Sequence, residues 1–255
     1  MKKLLKFLAK IHIQALSIIV YSLAFLTGRF VPLFIYFFIT SIHELSHCLI
    51  AIVFKLKINK IEVYPFGLSM NIDSLNKIHP FKSILILLAG PCSFFISQFI
   101  INLMFNYDII SYNTYLYSIE TNKLILLFNL LPIWPLDGSK IIFYLLSFIT
   151  PLKKCYYLVI SISFLTTISL VVLTFNDPQL VIITFLIFSQ IELIIKYQFE
   201  YYRTLLYRLN NNVKYKLKLH DKKDIYLPYK NCFFNDIIFL DEDDLILNIL
   251  NQKKE

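Results

Sequence analysis

Apolar residues gather in long runs along this chain, broken by short stretches that carry most of the lysines. Runs long enough to cross about 30 Å of hydrocarbon fall near 11–28, 31–54, 81–106, 123–149, 155–175 and 178–197, which predicts about six transmembrane helices. The stretch KLKINKIEVYPFGLSMNID between the second and third runs departs from this pattern. Its β-branched and aromatic residues partly alternate with polar ones, and Pro65, Phe66 and Gly67 mark a turn, so a short β-hairpin is expected there. After residue 200 the pattern becomes that of a soluble segment: NNNVKYKLKLHDKKD is polar, and NCFFNDIIFLDEDDLILNIL offers a short strand followed by an acidic helix. The fold class that follows is an all-α polytopic membrane protein over 1–199, with a β-hairpin, and a small α+β cytosolic appendage over 200–255. About 55 residues barely build a core alone, so the appendage is expected to pack on the membrane domain or on a second copy in a homo-oligomer.

Composition agrees: 57% of residues are hydrophobic and 16% charged, against about 25% charged in an ordinary soluble domain. The formal charge of +8 invites a nucleic-acid reading. However, residues 1–199 hold 15 Lys and Arg against 8 Asp and Glu, while 200–255 hold 10 against 9. The excess therefore lies in the membrane part, where short basic loops are expected, and no nucleic-acid partner follows. One set of alternate breaks holds Lys2, Lys3, Lys6 and Lys10, then Lys55, Lys57, Lys60, Lys77 and Lys82, then Lys153 and Lys154, then Lys196, Arg203 and Arg208. The other set holds only Arg29 and Lys123. By the positive-inside rule both termini are expected in the cytosol, with MKKLLKFLAK a retained basic tail. Cys48, Cys92, Cys155 and Cys232 form no CxxC or paired spacing, so neither a disulfide framework nor a thiolate metal site is expected.

The candidate chemistry sits inside the second run, as HELSH. His43 and His47 are four residues apart, so on a helix they share a face about one turn apart and can bind one metal ion. Glu44 projects from a neighbouring face, near enough to a water at the metal to take its proton, which is the HExxH logic of a zinc hydrolase. A polar helix-packing cluster is the bland alternative, but ionisable side chains at membrane depth cost at least about 2.5 kcal/mol and mark function by default. A third ligand is needed, and the other clearly interior carboxylate is Asp137 in FNLLPIWPLDGSK. There Pro132 and Pro135 interrupt a helix and Gly138 permits an unusual backbone. At about 1.5 Å per helical residue, Glu44 and Asp137 lie roughly 15 to 18 Å from the cytosolic ends of their spans. Asn129, one or two turns before Asp137, is placed either to offer a hydrogen bond near the site or to serve as helix-packing glue, as Asn in a span does as often.

HELSH in a span, followed some ninety residues later by NLLPIWPLDG, resembles the site-2 protease family of intramembrane zinc metalloproteases. Length, span count and tail are most similar to its stage IV sporulation protein FB branch, and the resemblance covers about residues 1–199. It implies one zinc ion per chain, with His43, His47 and Asp137 as ligands, Glu44 as general base, and Pro135 and Gly138 shaping the turn at Asp137. LLAGPCSFF matches the family's AGP segment at Ala89, Gly90 and Pro91. Many members continue with a small residue and Asn where this chain has Ser93 and Phe94, so the role of that Asn is not carried over. The hairpin near Phe66 and Gly67 is similar to a membrane-re-entrant segment beside the substrate.

The branch further implies a bacterial cell membrane, the one surrounding the forespore. Its implied substrate is a membrane-associated sigma-factor precursor cut from the cytosolic side, under control of regulatory membrane proteins. Its tail is a CBS-type domain that senses adenine nucleotides; here the tail looks like a truncated one without an obvious glycine-bearing turn, so ATP binding is not carried over. The rival readings are an ion-translocating transporter using His43, Glu44, His47 and Asp137 as a relay, and a catalytically silent scaffold.

Overall fold

In a computed structural model, the structure describes residues 11–13, 15–56, 60–64, 67–71, 78–173, 190–191, 194–195, 197, 199, 201–209, 217–220, 225–228, 230–235 and 238–251. The described part is mostly helical. Helix α1 (Ala15–Leu26) leads into α2 (Phe30–Val53), and strands β2 (Lys60–Tyr64) and β3 (Gly67–Asn71) precede α3 (Pro80–Asn106), with β1 (Ile11–Ile13) ahead of them all. Then come α4 (Tyr112–Leu130), α5 (Asp137–Leu146) and α6 (Leu152–Leu173), and after a helical stretch at 201–209 the strands β4 (Leu217–His220), β5 (Lys230–Asn235) and β6 (Ile238–Asp241), closed by α7 (Glu242–Asn251). Among the described helices three are long and apolar enough to cross a membrane: α2, α3 and α6. They answer the runs predicted at 31–54, 81–106 and 155–175.

Helix ends explain where the apolar runs turn. Gly28 takes φ +70°, and behind it Gly28 N–H donates to Phe25 O and Arg29 N–H to Ala24 O, the paired bonds that close a helix through a left-handed residue. The same pair recurs after α2, around Lys55 at φ 59°, and after α3, around Asp108 at φ 55°. Helix α4 starts under a Ser111 cap, whose Oγ accepts the Thr114 N–H at 3.3 Å.

The chain forms two compact units, one of Met1–Ser74 with Leu85–Leu130, the other of Leu75–Ile84 with Leu131–Glu255. In the first, β2 is the central strand of a three-stranded sheet, parallel to β1 and antiparallel to β3, with Tyr64 opposite Gly67 at the turn end. The expected hairpin is thus present as backbone, while Pro65 and Phe66 lie outside the described residues. Strand β3 lies against α2, and α2 packs on α4 around Ile39, Ile101 and Ile125. In the second unit α5 packs on α6. Strand β5 lies between a parallel β4 and an antiparallel β6. Leu152 N–H at the head of α6 donates to Ile225 O at 2.7 Å, and the buried Arg208 Nη1 donates to Leu227 O at 3.1 Å, so the segment after residue 209 is tied to the helices before it.

Two predicted spans need correction. The run at 11–28 is not one helix: Ile11–Ile13 is a strand paired with Ile61–Val63, and the helix begins at Ala15. Ile11, His12 and Ile13 alternate with the period of a strand, a signal hidden by the apolar helix beside it. The run at 123–149 is also divided. Helix α4 starts at Tyr112 and ends at Leu130, and a new helix starts at Asp137 after a segment with a cis Trp134–Pro135 peptide. Hydropathy missed the first half of α4 because that half is polar, yet its Ser118, Thr121 and Asn122 are buried. The run expected at 178–197 lies mostly outside the described residues.

Candidate metal centre

Helix α2 turns Ile39, His43, His47, Cys48 and Ala51 inward, residues spaced to form one face of a helix. His43 and His47 are each 5% exposed, Glu44 is half-buried beside them, and one ligand atom from each of the three lies within 4.8 Å of the others. The two imidazoles meet through their Nε2 atoms, 3.2 Å apart, with rings nearly perpendicular. Two nitrogens on one tetrahedral zinc, each about 2.05 Å from it, would stand about 3.3 Å apart. His47 Nδ1 is 2.7 Å from Ile86 O on α3. A carbonyl only accepts, so Nδ1 carries the proton and Nε2 presents its lone pair, the tautomer a metal ligand requires. Both the donor set and its spacing therefore fit a zinc ion.

Helix α3 brings more than that carbonyl. A Cβ built on Gly90 would overlap His47 Nε2 and Cε1 and come within 2.6 Å of His43 Cε1, so only glycine lets this helix approach the two rings. Pro91 follows directly within the helix and offers no N–H to the turn that starts at Leu87. Beside His43 a small cavity is lined by Ile39, Gly90, Phe94, Asn122 and Ile125. Asn122, 2% exposed, is held on three sides: its Oδ1 accepts from Ser97 Oγ at 2.7 Å, and its Nδ2 donates to Phe94 O and to Gln98 Oε1. This ties α4 to α3 one turn beyond Gly90 and Pro91.

The other expected site residues are distributed as follows. Asp137, 7% exposed, is the first residue of α5, where the helix dipole favours a carboxylate, and Lys140 Nζ is 3.5 Å from its Oδ1. Gly138 is buried next to it and Pro135 is exposed. Asn129 Nδ2 donates to Ile125 O of its own helix at 3.0 Å. Gly67 opens β3. Sequence reasoning overlooked Ile86, Asn122 and, in the second unit, Ser163 and Gln190. The last three were open to discovery as polar letters in apolar or helical stretches, whereas a carbonyl leaves no letter at all.

No family model matches the chain. It is 32% identical to Stage IV sporulation protein FB of Bacillus subtilis over 158 residues, 62% of this chain and 55% of that protein. It is 34% identical to a zinc metalloprotease of Methanocaldococcus jannaschii over 130 residues, 49% of this chain and 36% of that protein. The chain resembles the site-2 protease family. The fold agrees: the solved site-2 protease from Methanocaldococcus jannaschii superposes with a TM-score of 0.51 at 20% identity, over 71% of this chain and 89% of that one. With this family likeness and its three long apolar helices, the chain is a membrane protein. It spans 55% and 36% of the lengths of the two curated relatives.

Proposed function

We propose that the protein is an intramembrane zinc metalloprotease that hydrolyses a peptide bond of a membrane-associated protein. The observation that carries this reading is the HELSH cluster: two buried imidazoles with facing Nε2 atoms, one fixed by Ile86 O, and a carboxylate beside them, on an apolar helix long enough to span. Asp137 is the third ligand by the sequence resemblance, and one zinc ion is bound per chain. A zinc ion held there would supply Lewis acidity, polarising the scissile carbonyl and acidifying a water. Glu44 takes the proton of the attacking water and returns it to the leaving amine. His47, locked by Ile86 O, keeps its lone pair on the reacting side, and Gly90 leaves room there.

A peptide in a membrane helix has its carbonyls hydrogen-bonded, so the substrate unwinds before it is cut. Strand β3, taken as the re-entrant element, holds the unwound chain by strand addition. Tyr64 lies opposite Gly67 at the turn end; if that pair exchanges its hydrogen bonds, alternation directs the backbone groups of Leu68 and Met70 to the other edge of β3. Six spans with both termini in the cytosol would bring the reacting face toward cytosolic substrates. A sporulation sigma-factor precursor is the substrate class favoured by the likeness to Stage IV sporulation protein FB, with regulatory membrane proteins as partners.

The test is co-expression with candidate single-span and sigma-factor precursors. Wild type should cleave one, and Glu44→Gln should bind zinc yet leave it intact. A fully active Glu44→Gln protein would end the mechanism, and zinc-independent ion flux through purified protein would favour a transporter. If no sporulation precursor is cut while another membrane substrate is, the substrate assignment fails and the protease reading stands.

A further inference from the structure

The chain between α4 and α5 is irregular, and Pro132 and Pro135 within it can donate no backbone hydrogen bond. At membrane depth each unsatisfied backbone group costs several kcal/mol, so irregular backbone persists only where something else satisfies it. Trp134, between the two prolines, is satisfied on both sides by two side chains. Its N–H donates to Ser163 Oγ at 2.8 Å, Ser163 Oγ–H donates to Gln190 Oε1 at 2.6 Å, and Gln190 Nε2 donates back to Trp134 O at 3.2 Å. The ring of three bonds closes on a single peptide unit pair. Ser163 is 0% exposed and Gln190 4%. A second strut runs from Thr166 Oγ1 to Pro132 O at 3.4 Å. Ser163 and Thr166 are one turn apart on α6, a helix otherwise apolar enough to span a membrane.

We propose that Ser163 and Gln190 are positioning residues for Asp137. Asp137 starts α5 three residues after Trp134, with Ile133 N-terminal to it fully buried and Leu136 N–H bonded to Ile133 O at 2.8 Å. The segment from the clamp to Asp137 is therefore short and pinned, and the clamp sets where the helix begins. A serine alone satisfies the N–H but not the carbonyl. Gln is the side chain that accepts from the serine and donates to Trp134 O in one planar group. The inference rests on the reading of Asp137 as a metal ligand.

The chain carries its own reporter, because Trp134 is its single tryptophan. The experiment compares purified full-length wild type with Gln190→Leu, Ser163→Ala, Asp137→Ala and Thr167→Ala, the last a buried control whose hydroxyl bonds within its own helix to Ser163 O. Zinc affinity is read by competition with a chelator, and Trp134 by its emission maximum in metal-free protein. Gln190→Leu and Ser163→Ala should weaken zinc by about 10- to 100-fold, the usual cost of losing a residue that orients a ligand, and both should shift the emission, while Thr167→Ala does neither. Wild-type affinity in Gln190→Leu and Ser163→Ala beside weak binding in Asp137→Ala would overturn the clamp and leave the protease reading standing. Equal weakening in Thr167→Ala would also overturn it, as general damage to α6. Unchanged affinity in Asp137→Ala would overturn the ligand set, and the clamp with it.

Discussion

Gly90 is the position where one methyl group is least tolerable. Its missing Cβ would sit among His47 Nε2, His47 Cε1 and His43 Cε1, all parts of rings already held by α2 and Ile86 O. Gly90→Ala is expected to push α3 away from the pair and lower the zinc content, and with it the proposed cleavage. Metal analysis of the purified variant decides it, and full zinc content would show that the rings can retreat. The HELSH pair was legible because spacing by four on a helix is a local property, fixed before any tertiary contact. The reason for Gly90 was not: AGP could be matched to a motif, but the collision that excludes a Cβ depends on how closely two helices pack. Asn129 shows how little a letter alone specifies: one of its amide hydrogens goes to Ile125 O of its own helix, a local bond that an asparagine in the sequence does not announce.

Helices and strands were read well where apolarity and helicity coincide, and badly where they part. α2, α3 and α6 lie close to their predicted limits, whereas α4 starts eleven residues before the predicted run at 123 because its first half is polar. The buried side of that stretch predicts its own measurement. Asn122→Leu removes the partner of Ser97 Oγ and both donations to α3, so stability should fall by about 1 to 3 kcal/mol, seen as a lower unfolding midpoint in detergent. An unchanged midpoint would mean that the amide merely fills space. Hydropathy placed the ends of α2 and α3 but not how they close: Lys55 and Asp108 adopt the left-handed turn that Gly28 makes after α1, without its glycine.

The start of α3 offers a pH prediction. His79 Nδ1 accepts the Phe81 N–H at 3.3 Å, and burial followed by the nearby Lys82 charge holds its pKa below the usual 6.5. The fold thus binds fewer protons at His79 than the unfolded chain does between the two pKa values. Its contribution is complete above about 6.5 and is lost as pH falls toward the lowered value. His79→Ala should flatten that part of a stability curve measured from pH 7.5 to 5.5; an identical slope would assign the fall to other groups.

For the molecule as a whole, a bound metal and the tail should both appear in stability. Zinc at about 100 times its dissociation constant adds about 2.7 kcal/mol, so a chelator should lower the thermal midpoint and added zinc restore it; indifference to both would count against a bound ion. Deleting everything after residue 209 removes Ile225 O and Leu227 O from Leu152 N–H and the buried Arg208, and should lower the midpoint further. The strand and helix of the tail were visible in NDIIFLDEDDLILNIL and recur as β6 and α7. Where the tail fastens was not visible, since both acceptors are backbone carbonyls.

The first sheet has two flanks, and β1 already occupies one of them. The proposed strand addition would use the flank at β3, on the side of β2 away from β1. Changes at Ile11–Ile13 should then leave strand addition at β3 unaffected, and changes at Leu68 or Met70 are the ones expected to alter what is admitted.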